Sequence, residues 1–219
     1  MEDYIGILKE AHEQLRSRGD SIAVKDLTLC PRKKVFSKID PVRMTDEELY
    51  DYVSGQAAHD VIERLFMIYP DRFRTEKEIQ YGNVRGKIDI YDRLANNIVD
   101  VKTSKSQKIL LKPFKFHEEQ IRYYMAMSGS EEGQIIYQMD KFGKYLVFPI
   151  YMTDKERVNQ LEKLEHEAGL LQKAIDRKDP SLVKGIYDDA EISWMCNKCP
   201  YLEKCIAVRD TKINVVGAI

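Results

Sequence analysis

Gly86-Lys87-Ile88-Asp89-Ile90-Tyr91-Asp92-Arg93-Leu94-Ala95-Asn96-Asn97-Ile98-Val99-Asp100-Val101-Lys102 is the stretch that decides the reading. β-Branched residues cluster on either side of Leu94-Ala95-Asn96-Asn97, which predicts a strand, a turn and a second strand. Alternate residues of a strand share a face. Ile88 and Ile90 therefore point away from Asp89, and Val99 and Val101 away from Asp100 and Lys102. One face of the hairpin is apolar, and the other carries two carboxylates and an ammonium. Pairing the strands brings Asp89 close to Asp100.

Two close carboxylates repel unless a cation lies between them. A hard divalent ion such as Mg²⁺ or Mn²⁺ removes that cost and keeps water ligands. Such an ion lowers the pKa of bound water, and a nearby lysine positions it or stabilises developing phosphate charge. The pattern suits phosphodiester hydrolysis. The plain alternative is a solvated strand face with a Lys–Asp ion pair.

On the N-terminal side, Thr45 and Glu48 form a capping box that opens a helix over about 46–68, stopped at Tyr69-Pro70. Its apolar spacing is carried by Leu49, Tyr52, Val53, Ile62 and Phe66, with His59 on the same face. Gly55 lies four residues before His59, and Gly55, Ala57 and Ala58 allow a close approach of the helix to the sheet. A neutral His59 is then a further metal ligand, or a packed helix residue. Glu78, in Glu76-Lys77-Glu78-Ile79, reads as strand surface in preference to a member of the site.

On the C-terminal side, residues 116–128 form a helix that sets Gln120 and Tyr124 one turn apart, able to hold a phosphate or a base. Lys102, Lys105, Lys108, Lys112, Lys115 and Arg122 make a locally basic strip, suited to phosphate contacts. Phe114, Phe116, Tyr123 and Tyr124 interleave with it and are candidates to stack on single-stranded bases. Strands at 134–139 and 144–151, separated by Lys141-Phe142-Gly143, and a charged helix over 154–178 complete the core. An amphipathic helix over 1–20 ends at Gly19. The order of elements predicts an α/β fold with a small mixed sheet flanked by helices.

The 219 residues suit one domain with a small appendage. Lys and Arg number 35 against 36 Asp and Glu, a net charge of −1 that excludes a uniformly basic nucleic-acid binder. A 43% hydrophobic content argues against disorder. No apolar run approaches the ~20 residues of a membrane span. The charged N-terminus does not read as a signal peptide, so the expected location is cytoplasmic.

Cys30 stands alone, beside the basic run Arg32-Lys33-Lys34, a second candidate phosphate contact. Cys196, Cys199 and Cys205 form C-x₂-C-x₅-C near the other end. In a reducing compartment this spacing favours a metal over disulfides. Four thiolates accept an iron–sulfur cluster or tetrahedral zinc, and sharing one group would bring the chain ends together. Buried free thiols are the plain alternative.

Cys30, Gly55-x₃-His59, Gly86-x₂-Asp89, Asp100-x-Lys102, Gln120-x₃-Tyr124 and Cys196-x₂-Cys199-x₅-Cys205, in this order over roughly residues 26–208, resemble the RecB-type branch of the PD-(D/E)xK nucleases. The likeness is to the CRISPR-associated exonuclease family with four cysteines. Trp194 and Tyr201 fit that family as well. The resemblance implies a restriction-endonuclease-like core and an iron–sulfur appendage formed by both chain ends. On that basis residues 1–45 hold the N-terminal helix and first cysteine, 46–180 the nuclease core, and 181–219 the iron–sulfur segment. It also implies that His59, Asp89 and Asp100 bind Mg²⁺ or Mn²⁺ and that Lys102 is catalytic beside Asp89 and Asp100. Gln120 and Tyr124 would help hold DNA. The four cysteines would ligate a cluster, [4Fe–4S] more often than [2Fe–2S]. The implied activity is cutting of single-stranded DNA from an end, with trimming for spacer acquisition and CRISPR integrase proteins as partners. Asp100 stands where many relatives carry Glu, one methylene longer.

Two other functions share these features. One is a DNA-end-recognition module of an integration complex, which has no need of Asp89, Asp100 and Lys102 together. The other is a RecB-like repair nuclease; those usually have a fused motor, and without a G-x₄-G-K-[ST] loop in this sequence any motor is expected on a separate chain.

Overall fold

The computed structural model describes residues 4–17, 21–105, 109–187, 189 and 192–208. Gly19 and Lys108 lie outside them. The chain divides into two compact units, Met1–Val24 with Arg43–Leu164, and Lys25–Val42 with Glu165–Ile219.

The first unit is built on a mixed six-stranded sheet: β1 (Ile22–Ala23), β2 (Phe73–Tyr81), β3 (Val84–Asp92), β4 (Asn97–Ser104), β5 (Glu132–Met139) and β6 (Lys144–Tyr151). The spatial order is β1-β3-β4-β5-β6, with β2 also on β3. β4 and β5 are parallel; the helix between them, α5 (Lys115–Ser128), is their crossover. β5 and β6 form an antiparallel hairpin over their full length, turning at Gly143 (φ 55°).

Helix α1 (Tyr4–Ser17) opens the chain, and α2 (Val24–Thr28) and α3 (Pro31–Ile39) follow β1. Helix α4 (Asp46–Phe66) begins with the expected capping box, Glu48 N–H to Thr45 Oγ1 at 3.1 Å and Thr45 N–H to Glu48 Oε2 at 2.9 Å. Its inward side chains Ile62 and Phe66 pack on Ile90, Val99 and Val101. Tyr52 and Val53, expected on that face, are largely exposed, and Glu63 is buried in their stead. Helix α5 covers the opposite side of β4 and β5: a methyl group at Gly133 would meet Ile121, Met125 and Ile98. Ile98 and Val99 are neighbours in a strand and so face opposite ways.

Residues 73–104 hold three strands where the sequence reading has two. The extra one, β2, joins β3 through the turn at Gly82 and Asn83. The second turn is pinned by Asp92, whose Oδ1 accepts from the backbone N–H of Leu94 and Ala95 at 3.1 and 3.2 Å. Its Oδ2 is held by Arg72 at 2.7 and 2.9 Å.

Strand β3 is the organising element. β2 occupies one of its edges from end to end. On the other edge, β4 pairs only at Ile90, Tyr91 and Asp92, and β1 only at Val84 and Arg85. The segment 86–89 is left without a ladder partner there. The β2 ladder is interrupted at one place as well, the position opposite Asp89, where Glu76 has φ 49°. Side chains change face across this break. Phe73 packs with Ile62 and Ile90, whereas Ile79, six residues on, lies with Gly86 against Tyr124 of α5. A regular strand would keep Phe73 and Ile79 on one face.

In the second unit, α6 (Asp154–Asp176) continues from the first, and residues 202–208 are helical. The Tyr201 ring stacks on Phe36 at 5.5 Å. Its hydroxyl donates to Asp40 O at 3.0 Å and accepts from Val42 N at 3.3 Å. Among the described residues, no helix is long and apolar enough to cross a membrane.

Candidate active site

Because β4 leaves β3 after the Ile90–Val99 pair, Val101 N–H has no strand carbonyl to meet. It donates to Asp89 Oδ2 at 2.8 Å instead. The carboxylate of Asp89 thus fills the gap between the strands and sits beside Asp100, as the hairpin register requires. Asp100 is only 2% exposed. The Lys102 ammonium straddles its carboxylate, 2.9 Å from Oδ1 and 2.8 Å from Oδ2. Asp100 Oδ2 is sealed from solvent and accepts no directed hydrogen bond.

From α4, His59 Nδ1 comes within 3.5 Å of Asp89 Oδ2. Glu63, one turn further along, reaches the same place. Ligand atoms of His59, Glu63 and Asp89 all lie within 4.8 Å of one another. Glu63 was not among the residues singled out from the sequence. The signal was available: Glu63 stands four residues after His59 and next to the core residue Ile62. From α5, Gln120 Nε2 donates to Tyr124 Oη at 2.9 Å, and the Tyr124 ring lies against Gly86.

The electrostatics follow from burial and crowding of like charges. Burial pushes the Asp100 carboxyl up to about 6, and Asp89 adds to the rise. Burial likewise raises Asp89. Glu63 is pushed up to about 7 by burial and then by Asp89 and Glu76. Burial opposes the charge on Lys102, but Asp100 and Asp89 more than offset it and hold the ammonium firmly protonated. Burial and then Lys102 lower His59, so its imidazole is neutral and able to ligate. Burial and then Asp100 push Tyr124 up to about 12, leaving a neutral hydroxyl. Oxygen donors that repel one another, with a neutral imidazole, fit a hard divalent cation.

Three members of the basic strip are engaged with carboxylates, while Lys112 and Lys115 are exposed. Lys102 is spent on Asp100, Lys105 pairs with Asp51 at 2.5 Å, and Arg122 pairs with Glu118 at 3.0 Å. Its aromatics are core. Phe116, Tyr123 and Tyr124 are buried, and Phe116 stacks on Phe114 at 5.5 Å. The helical spacing that suggested base stacking is the spacing of an inward face. His117 is a second residue the sequence did not flag. Its Nδ1 lies 2.7 Å from the Tyr137 hydroxyl, and burial, with Lys102 nearby, lowers it to about 2, so it stays neutral. Nor does Gly55 serve a close approach, since a methyl group there would meet only Thr103 Oγ1, at 3.9 Å. The close approach is at Gly86.

All four cysteines belong to the second unit and are free thiols. Cys30 precedes α3, and Cys199 N–H donates to Cys196 O at 2.9 Å. Burial raises Cys30, with Cys205 and Cys199 adding. Burial, and then charge on Cys30, Cys199 and Cys205, push Cys196 up to about 11. Thiols this close repel as thiolates, and a bound metal removes that cost by deprotonating its ligands outright. Four thiols are the donor chemistry of an iron–sulfur or zinc group, but among the described residues the ligand atoms that lie within 4.8 Å of one another are those of His59, Glu63 and Asp89 and not the sulfurs. Arg32 is not an outward phosphate contact. It donates to Val183 O at 3.0 Å, Pro180 O at 3.2 Å and Cys205 Sγ at 3.4 Å. Lys34 pairs with Asp26 at 2.9 Å.

No family model and no curated protein matches this sequence. Solved structures that share the fold include the following two. The crystal structure of SSO0001 is 19% identical with a TM-score of 0.60, covering 90% of this chain and 93% of that one. A phage-related exonuclease from Haemophilus somnus 129PT is 12% identical with a TM-score of 0.50, covering 72% of this chain and 94% of that one.

Proposed function

We propose that this chain is a Mg²⁺- or Mn²⁺-dependent deoxyribonuclease that digests single-stranded DNA from an end. The observation that carries the reading is the gap on the β3 edge, where the partly buried Asp89 and the buried Asp100 lie side by side, with Lys102 bridging the second. A fold concerned only with stability gains nothing from carboxylates whose charged forms burial disfavours. Their charges become favourable when a divalent cation enters between them. An exonuclease shares this fold, which agrees with the reading.

His59, Asp89 and Asp100 are the proposed cation ligands. When bound, the ion supplies Lewis-acid activation of water and neutralises phosphate charge. Lys102 is held charged beside Asp100 and donates to the attacking water or to a phosphate oxygen as charge builds there. Asp89 is fixed through Oδ2 by Val101 N–H, on the side where His59 approaches. Gln120 and Tyr124 form a neutral hydrogen-bonding wall on α5 that orients the nucleotide. In the second unit, Cys30, Cys196, Cys199 and Cys205 ligate an iron–sulfur cluster, [4Fe–4S] in preference to [2Fe–2S]. The resemblance to the CRISPR-associated exonuclease family extends the proposal to the cytoplasm, to trimming of DNA for spacer acquisition and to integrase partners.

The test is 5′-labelled single-stranded DNA incubated with the purified protein in Mn²⁺ or in EDTA, beside Lys102→Ala. Metal-dependent shortening that vanishes in the variant is expected. Binding without cleavage, across metals and DNA forms, would refute the nuclease and favour an end-recognition module.

A further inference from the structure

We infer that Glu63 is a ligand of the divalent cation, so that the ion is gripped by α4 through His59 and Glu63 as well as by Asp89. The inference rests on the reading of the gap as a cation site, and it adds a residue that none of the sequence motifs contains.

Three observations carry it. The first is geometric: Glu63, His59 and Asp89 bring one ligand atom each within 4.8 Å of the others, a spacing that one ion spans with bonds of about 2.0–2.6 Å. The second is the state of Glu63 itself. It is only 7% exposed, and among the described residues no hydrogen bond or ion pair reaches its carboxylate. Buried carboxyl groups without partners are costly in either protonation state, and the neighbouring inward positions on α4, Leu49 and Ile62, are apolar. An acidic residue at such a position requires something to receive it. The third is charge balance. Asp89 and Asp100 face the buried ammonium of Lys102, and the cation that acts on Glu63 is Lys87, which is exposed and already paired with Glu76; Glu63, Asp89 and Asp100 thus share one uncommitted positive charge. A divalent cation makes the group neutral.

The helix supplies the reason for the pairing. Residues four apart project to one side of an α-helix, so His59 and Glu63 present nitrogen and oxygen together, at the level where the β3 ladder is open on both edges. A mixed imidazole and carboxylate set favours Mn²⁺ over Mg²⁺.

The experiment measures Mn²⁺ binding directly, by titration calorimetry and by the free-Mn²⁺ paramagnetic resonance signal. Wild type, Glu63→Gln, Glu63→Leu and Asp89→Asn are compared without DNA. Melting of each metal-free protein reports whether it folds. Both Glu63 variants are expected to melt at or above wild type without metal, since a buried acid has been removed. Both are expected to bind Mn²⁺ at least tenfold more weakly and to lose most of the Mn²⁺-induced rise in melting temperature. Glu63 variants that bind Mn²⁺ as wild type does, while Asp89→Asn does not, would overturn the role of Glu63 and leave the cation site standing. A wild-type protein that binds no Mn²⁺ would overturn the site itself.

Discussion

Gly86→Ala is the most exposed point of the structural argument, because a single methyl group has nowhere to go. A Cβ at position 86 would lie 2.6 Å from Tyr124 Cε1, 3.0 Å from Tyr124 Cδ1 and 3.3 Å from Ile79 Cγ1. Carbon atoms are at ease at about 3.5–4.0 Å, so the ring must retreat by about 1 Å. It has little room. Tyr124 is 5% exposed, its helix neighbours Tyr123 and Met125 are fully buried, and its hydroxyl is tied to Gln120. Overpacking of this kind costs about 1–3 kcal/mol, against the few tenths that alanine would otherwise gain over glycine in a strand. The assay is urea unfolding of Gly86→Ala, Tyr124→Leu and the double variant. Leucine lacks the Cε1 carbon, so the cost of the methyl group should largely vanish in the leucine background, a coupling of about 1–3 kcal/mol. Gly86→Ala with wild-type stability, or with the same cost in both backgrounds, would refute the packing described for this strand.

Gly55→Ala should raise stability by about 0.5–1 kcal/mol in the same urea assay, because position 55 is helical and open; a loss would mean that α4 needs its glycine. The metal-free protein should become less stable as pH rises from about 4 to about 7. Carboxyls raised in the fold bind protons that the unfolded chain has released, so their contribution is complete below their ordinary pKa and is lost on passing the raised one. For Asp100, moved from 3.8 to about 6, the loss is about 3 kcal/mol. Mn²⁺ should flatten the profile, and a metal-free melting temperature higher at pH 8 than at pH 5.5 would contradict it. Tyr201→Phe, which removes the donor to Asp40 O, should cost about 1 kcal/mol, read by thermal melting of the holo protein. Cys199→Ala should lose visible absorbance and thermal stability together; a colourless wild type with one zinc per chain would restrict the failure to the kind of metal.

Much of the frame was legible because it depends on local chemistry. The capping box at Thr45, the alternation through Ile88 and Ile98 and the Gly143 turn are written in neighbouring residues, and each appears where expected. What was not legible depends on residues far apart in the chain. Lys105 is paired with Asp51, 54 positions away. Arg32 turns inward because the carbonyls that receive it lie near residue 180. The spacing of Glu63 from His59 puts both on one side of α4, but the other wall of its pocket, Asp89, comes from a strand 26 positions on. β1, two residues long, carries no periodicity to read.

One of these long-range features explains why a plain hairpin becomes a candidate catalytic centre. In an unbroken ladder, Val101 N–H would bond to a carbonyl of β3, and Asp89 would face Asp100 across a closed sheet with no room for an ion. Here β4 pairs with only three residues of β3, and β1 caps the far end of the same edge with two, so the sheet is held together on both sides of an opening. Glu76, in a left-handed conformation that costs a non-glycine residue about 1 kcal/mol or more, breaks the β2 ladder at the same level. Relaxed backbone at that point would return the pair Glu76–Asp89 to the ladder and turn Asp89 away from α4. The unfavourable backbone of Glu76 and the opening held by Val101 N–H on Asp89 Oδ2 therefore lie at one level of the sheet.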